Sequence, residues 1–415
     1  MKKKLYSINK VSIPFFHFFS LSKFNFIALF RRHSLLQICF VCLFTTLQVN
    51  SFAQDSSHIR ISLLTCSPGE ELYSTFGHTA IRVIDSNSVN DIVFNYGTFN
   101  FEAPGFYTKF IRGKLLYYLS AEKFEDFVFA YQADNRSIRE QLLNLDAEEK
   151  VKITEALYEN IKPENSSYKY DFFFDNCTTR PRDLLLKYKK NAPAFKAVMP
   201  EKTRFRQAIH QYLDQNEKDW SKLGIDLLLG APTDAVMTVA QSQFLPDNLM
   251  KSLDSSNQNH QWVLSASNLY PMGNANSNHS FITPTIVFSG LFLVIFLIGF
   301  SSSKRAKVFL QGFDGIFFFI TGAMGILLVF MWTSTDHIMC KNNFNLLWAL
   351  PTHAAMAFFI NSKKSWVKKY FTFSSIAGIL LLLAWFFLPQ QMNNALIPIV
   401  LLLIVRSYKN AISAS

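Results

Sequence analysis

"YDFFFDNCTTRPRDLL", residues 170–185, carries an aromatic run that stops at Asp175 and Asn176, then a cysteine, then a pattern able to wind a helix. Aromatic residues favour strands, and Pro181 suits the first turn of a helix, where its missing N–H is no loss. The spacing predicts a strand-to-helix junction at Asn176, a helix over 177–189, and the sulfur of Cys177 at the helix N-terminus. The partial positive charge there favours a thiolate. Cys177 is then a candidate nucleophile; the competing readings are a small buried hydrophobe or one half of a disulfide with Cys66. Compartment and a base within reach decide between them.

The flanks give the compartment. Lys2, Lys3, Lys4, Lys10, Lys23, Arg31 and Arg32 precede any acidic residue and lead into the apolar run "LLQICFVCLFTTL" and a small-residue cleavage pattern, Ser51-Phe52-Ala53. Residues 1–53 read as a secretory signal or, alternatively, an uncleaved N-terminal anchor, although the run is short for a spanning helix. From residue 283 the chain becomes a series of apolar segments, near 283–300, 308–332, 344–360, 370–389 and 394–406. "SSSKRAK", "NSKKSWVKK" and the tail "RSYKN" hold most of the basic residues between and after them, whereas "TSTDHIMCKNN" and "PQQMNN" share one lysine. Under the positive-inside rule this alternation describes five transmembrane helices with residues 54–282 on the extracytoplasmic side.

Topology also explains the charge. Of the formal net charge of +11, seven positive groups lie in the signal, and residues 283–415 carry ten basic and two acidic groups, which leaves residues 55–282 at −4. No nucleic-acid partner is needed to account for the basic balance. Three cysteines, Cys66, Cys177 and Cys340, remain on the exported side, where disulfides are favoured.

Apolar runs bounded by turn residues predict strands at 59–64, 79–84, 91–97 and 114–120. Helical periodicity appears at 121–132 and 146–161, the second opened by Asp146 with Glu149 three residues on, and further helices are expected at 177–189, 201–214 and 220–240. The reading is an α+β catalytic domain over 54–250, a polar linker over 251–282 and an all-α transmembrane domain over 283–415.

The base is sought in "ELYSTFGHTAIRVID". Gly77 and His78 stand at the start of a predicted strand, where glycine permits close backbone approach and the imidazole projects from the strand's end. A strand-borne histidine that takes the proton of a helix-N-terminal cysteine is the papain-like arrangement, with the histidine first in the chain as in circularly permuted members. Asn95 in "VFNYG" reaches the far ring nitrogen if the two strands pair antiparallel; Tyr96 falls on the opposite face, and Asp91 at the other end of the strand. The N–H groups of Cys177 and Thr178, with the Asn176 side chain, are candidates for an oxyanion hole. Arg180 and Arg182 are either a solvated helix face or ligands of a phosphate headgroup. His337, Asn342 and Asn345 lie in or beside an outward loop that is either a connector or a substrate contact. Asp314, near the inner end of a span, is accounted for by snorkelling, and His353 lies within a span without a sequence partner. No His/Cys/Asp cluster has metal-ligand spacing, so neither metal nor cofactor is expected.

"FGHTAIRV", "FNYGTFNF", "GFYTKFIRGKLLYYL", "DNCTTRPRDLL" and "DHIMCKNNFNLLWALP", in that order, resemble the Lnb family across nearly the whole exported chain. The resemblance implies a lipoprotein N-acyltransferase whose periplasmic domain is similar to NlpC-type and lecithin:retinol acyltransferase-type papain-like folds. It assigns the Cys/His pair to Cys177 and His78 and leaves the third catalytic group open. It further implies a bacterial inner-membrane protein that takes an acyl chain from a phospholipid donor and passes it, through a thioester, to a lipoprotein acceptor. Two alternatives remain at this point: a membrane-tethered cysteine peptidase or amidase acting on cell-wall peptides, and a non-catalytic sensory membrane protein.

Overall fold

The structure is a computed structural model that describes residues 57–270 and 281–413; the expected signal lies outside these residues. Among the described residues seven strands form one antiparallel sheet in the order β6-β4-β3-β2-β1-β5-β7. They are β1 (Ile59–Cys66), β2 (His78–Asp85), β3 (Asn90–Thr98), β4 (Leu116–Lys123), β5 (Ile138–Leu143), β6 (Ser167–Lys169) and β7 (Val263–Tyr270). In the central strand β1 every residue but Arg60 is buried, because helices cover both faces. Alternation sends Ile61 and Leu63 into a core with Leu157, Leu184 and Leu253, and sends Leu64 and Cys66 to the other side, against Phe127. The Ala147–Asn160 helix opens with the expected capping box between Asp146 and Glu149.

Several elements differ from the sequence reading. The stretch taken as a linker contains β7, whose alternating polar residues read as coil but pair along β5. The 220–240 helix ends as Asp219–Leu228, with Pro232 in the 3-10 turn Ala231–Asp234 that follows. Residues 171–175 form a tight turn rather than a strand: Asp171 and Asp175 bridge its ends, and Asp171 Oδ1 accepts from the N–H groups of Phe173 and Phe174 at 2.8 and 3.1 Å.

The C-terminal part is helical and apolar. Lys304–Thr333, Ser365–Ala384 and Asn394–Ile412 are long and apolar enough to cross a membrane, and Pro284–Ile298 is a shorter apolar helix. Residues 344–360 do not form one helix but the 3-10 turns Phe344–Leu347 and Ala357–Phe359 around the short helix Thr352–Met356. Pro351 interrupts the ladder, and continuous helix is not restored beyond it. Asp314 does not snorkel: it is buried, receives two hydrogen bonds from Arg406 at 2.6 and 2.8 Å, and a third from Asn410 at 2.7 Å.

The loop after Lys304–Thr333 joins this part to the N-terminal domain. Gly230 N–H donates to Met339 O at 2.8 Å and Ala231 N–H to Asn342 O at 3.1 Å. The amide of Asn343 donates to the carbonyls of Leu227 and Leu228 at 2.7 and 3.1 Å, and that of Asn345 to Asp226 O at 3.1 Å, closing the C-terminus of the Asp219–Leu228 helix. Met339 packs with Phe173, Phe205 and Phe244, so the turn that precedes Cys177 rests in part on the membrane domain.

Candidate active site

His78 begins β2 opposite Cys66 of β1. Gly77, at φ +79°, lets the chain enter the strand close to β1, where a Cβ would come 2.7 Å from the Cys66 carbonyl oxygen. Cys177 follows the 171–175 turn and precedes the helix Thr179–Tyr188, whose N-cap is Thr178. The hydroxyls of Thr79 and Thr178, the residues that follow His78 and Cys177, lie 3.1 Å apart, and this brings the imidazole and the thiol close enough for each to shift the other's ionisation, although the two residues are ninety-nine positions apart in the chain. Gly97 makes room for this approach, since a side chain there would meet Cβ of Cys177 at 3.4 Å and the ring of Tyr170 at 3.5 Å.

The imidazole is held from its far side. Asn95 Oδ1 lies 3.0 Å from Nε2 of His78, and Asn95 Nδ2 donates to Glu122 Oε1 at 2.8 Å. With the amide nitrogen bound to a carboxylate, the oxygen must face the ring, so Nε2 carries a proton and Nδ1 is left for the thiol. Antiparallel pairing of β2 with β3 and of β3 with β4 lines these groups along one face of the sheet.

The electrostatics favour an ion pair. Burial raises the Cys177 pKa, but the His78 charge and hydrogen bond, the Thr79 backbone N–H and the Thr178 hydroxyl outweigh it and hold the thiol below its ordinary value. For His78, burial lowers the pKa, yet the Cys177 charge and the hydrogen bonds to Cys177 and Asn95 raise it above the usual imidazole value. Cys66 is different: burial pushes its thiol up to about 12, so it is an inert core group. Cys66, Cys177 and Cys340 are all free thiols, and no Cys66–Cys177 bridge forms.

The remaining sequence candidates have other duties. Asn176 is buried and faces inward: its Nδ2 donates to Phe172 O and Phe244 O at 2.8 Å, and its Oδ1 accepts from the N–H groups of Thr178 and Thr179 at 2.8 Å. Neither the Asn176 side chain nor the Thr178 N–H is therefore available to an oxyanion; of that pair of backbone donors, Cys177 N–H is the one with no acceptor among the described residues. The Thr178 hydroxyl sits 3.1 Å from that of Thr79 and 3.8 Å from the Cys177 sulfur. Arg180 is a structural cation, bonded twice to Asp175 at 2.6 and 2.8 Å and laid over the Tyr168 ring at 3.4 Å, with its bidentate face occupied. Arg182 is likewise engaged, by Asp183 and the Ala240 carbonyl.

His337 is bonded not to the Cys177 group but to the Phe110 carbonyl, at 3.1 Å. Asn342 is exposed, at φ +50°, and contributes its backbone carbonyl to domain docking. His353 meets the Tyr370 hydroxyl at 2.7 Å inside the helical part. Tyr96 accepts from Asn160 at 2.8 Å on the opposite face of the sheet, and Asp91 is tied to Arg82 at the far end of β3. Glu122 was missed because the fourth strand was ended at residue 120; continuing its alternation by two residues would have brought Glu122 beside Asn95. Among the described residues no group of three or more His, Cys, Asp or Glu could hold a metal ion.

Residues 50–211 match the family model of the Lnb N-terminal periplasmic domain, and residues 276–415 match that of the Lnb transmembrane domain. The chain belongs to the Lnb family. The first match holds six of the seven strands and the second the apolar helical part, so this Lnb-family chain is a membrane-anchored protein with a periplasmic domain. Cys177, His78 and Asn95 all fall inside the periplasmic match. No curated protein and no solved structure matches the chain.

Proposed function

We propose that this protein is a lipoprotein N-acyltransferase of a bacterial inner membrane, with Cys177 as nucleophile, His78 as general acid and base, and Asn95 as the group that orients the imidazole. The observations that carry the reading are the 3.1 Å contact between Thr79 and Thr178, which sets His78 beside Cys177, and the Asn95 oxygen 3.0 Å from the imidazole, in a domain docked on apolar helices. A histidine on a strand, a cysteine just ahead of a helix and an amide oxygen on the far ring nitrogen make up a papain-like site, here in permuted order. We read the membrane domain as five crossings, the third being the broken segment 344–360.

In the first half-reaction the Cys177 thiolate attacks the carbonyl carbon of a phospholipid ester. A C–S bond forms, the ester C–O bond breaks, and the His78 imidazolium gives its proton to the departing lysophospholipid oxygen. The Cys177 N–H is the backbone donor for the oxyanion. In the second half-reaction the α-amine of a lipid-modified lipoprotein cysteine attacks the thioester, a C–N bond replaces the C–S bond, and His78 takes the amine proton. Both lipids lie in the same bilayer, so tethering the site to the membrane supplies proximity. Glu122 acts through Asn95 as a positioning residue.

The test uses the full chain in nanodiscs containing a phospholipid with an isotopically labelled acyl chain. We expect a hydroxylamine-labile acyl adduct on Cys177 that an N-terminal diacylglyceryl-cysteine peptide discharges as an amide. Cys177→Ala and His78→Ala should each abolish transfer, and normal transfer by either variant would refute the mechanism. Cleavage of cell-wall peptides with no acyl adduct would support the amidase alternative.

A further inference from the structure

Between β3 and β4 the chain makes a short helix, Phe106–Ile111, and leaves a cluster of large apolar side chains uncovered. Phe101, Tyr107, Phe110 and Ile111 are 59%, 74%, 50% and 43% exposed. Such a patch on a soluble surface marks an interaction site. Lys109, Arg112 and Lys114, all exposed, border it, with Glu102 the nearest acidic residue in sequence.

The location of the patch identifies its partner. Asp336 N–H donates to the Arg112 carbonyl at 3.0 Å, His337 Nε2 lies 3.1 Å from the Phe110 carbonyl, and Lys169 pairs with Asp336 at 3.0 Å. Asp336 comes three residues after the end of the apolar helix Lys304–Thr333. Three residues of chain span at most about 10 Å, and the interfacial layer of a bilayer is roughly 5–8 Å deep on each side. The patch is thus held at the height of the lipid headgroups, continuous with the membrane domain. Aromatic side chains mixed with lysine and arginine are what that layer accepts.

From the patch a run of rings leads inward. Phe110 stacks on Phe106 at 6.1 Å, Phe106 on Phe99 at 5.9 Å, Phe99 meets Tyr117 at 5.2 Å, and Tyr117 stacks on Tyr170 at 4.3 Å. Tyr170 and Cys177 both border the space at Gly97.

We propose that residues 101–111 insert into the outer leaflet of the bilayer, with Tyr107, Phe110 and Ile111 among the acyl chains and Lys109, Arg112 and Lys114 at the phosphates, and that the ring track guides a phospholipid acyl chain to Cys177. Insertion stands on the geometry alone; delivery of the acyl chain rests on the acyl-transfer reading above.

The full chain in nanodiscs of phosphatidylethanolamine and phosphatidylglycerol tests both parts. An environment-sensitive fluorescent amino acid is placed by codon suppression at position 107, 110 or, as control, 89. Val89 caps the turn at the far end of β3, about 25–30 Å away at strand rise. Probes at 107 and 110 should be quenched by lipids carrying a doxyl group high on the acyl chain and protected from iodide, with the reverse at 89. Iodide quenching at 107 and 110 as strong as at 89 overturns insertion. For delivery, the double variant Tyr107→Glu/Ile111→Glu should slow acylation of Cys177 by phospholipid at least tenfold and leave its reaction with a water-soluble short-chain aryl ester unchanged. Equal loss with both esters, or loss with neither, overturns delivery. A wild-type Cys177 that accepts no acyl group from either ester refutes the acyl-transfer reading and leaves the depth result standing.

Discussion

Asn95 meets His78 through a 3.0 Å contact between its side-chain oxygen and the imidazole Nε2, and the polarity of that contact is set by a third residue. Glu122 takes the amide hydrogen of Asn95 at 2.8 Å, so the amide cannot turn over without placing its nitrogen against the ring and its oxygen against a carboxylate.

Asn95→Ala removes this constraint and should lower turnover by about 10–100-fold with the fold intact, an effect on the scale of a lost positioning hydrogen bond to a catalytic group. Glu122→Leu should reduce turnover in the same direction but less, because Asn95 is still present and only its orientation is released. Glu122→Gln, which can still accept from Asn95, should recover most of the loss. Single-turnover acylation rates distinguish these cases, and equal rates for all three variants and wild type would remove the Asn95–Glu122 pair from the mechanism.

The pH profile follows from the directions of the two shifts. The Cys177 thiol is held below its ordinary value and the His78 imidazole above its own, each in part by the other's charge, so both shifts enlarge the thiolate–imidazolium population. Acylation should fall on the acid side as Cys177 gains its proton and on the alkaline side as His78 loses the proton it gives the leaving group. His78→Ala should move the pH dependence of iodoacetamide alkylation at Cys177 upward, since it removes the neighbouring cation. Asn95→Ala should draw the alkaline limb of acylation downward, since its hydrogen bond helps hold the ring protonated. Limbs that stay in place in both variants would contradict the ion pair.

Domain docking depends on side-chain amides that close a helix end. Asn343→Ala leaves the Leu228 carbonyl without the side-chain donor that reaches it from the membrane loop, and the Leu227 carbonyl with only the 3.3 Å bond from Asn345. The expected cost is about 1–3 kcal/mol, the penalty for an unsatisfied buried polar group. Thermal unfolding in detergent should show a lower midpoint, and limited proteolysis should show faster cleavage around residues 228–235. An unchanged midpoint would mean that water replaces the amide.

Within the helical part, Asp314→Ala strands the buried Arg406 guanidinium and should destabilise the protein by roughly 3–5 kcal/mol. The double substitution Asp314→Leu/Arg406→Met removes both charges and should recover much of that loss. Unfolding in mixed micelles gives the comparison; a double variant as unstable as the single one would show that the pair contributes by more than mutual neutralisation.

The sequence alone was most informative where the physics is local or global in composition. Apolar length marked the helical C-terminal part, Asp146 and Glu149 announced a helix start, and the glycine before His78 and the proline after Cys177 drew attention to two residues that come side by side. Strand alternation put Asn95 and Tyr96 on opposite faces, as they are. Polar residues with several possible partners were less legible. Asn176 beside a candidate nucleophile suits an oxyanion donor, yet the Phe172 carbonyl in the turn and the Phe244 carbonyl from a distant segment claim its amide. Arg180 suits a phosphate, yet Asp175 lies five residues before it, and one helical entrance brings the two together.

What the sequence by itself determined is the order of modules, the apolar character of the C-terminal one, and the residue types able to do nucleophilic chemistry, because these depend on hydrophobic length and near-neighbour spacing. Only the tertiary structure decided which groups meet: that Cys177 comes to His78, that Glu122 fixes Asn95, that Met339 packs under the nucleophile turn while Asn343 closes the Asp219–Leu228 helix, and that Asp314 has Arg406. Hydrogen bonds act over about 3 Å and join strands, turns and helices that are far apart in the chain. A pattern of residues names the groups that can form them, and packing of the whole fold selects the ones that do.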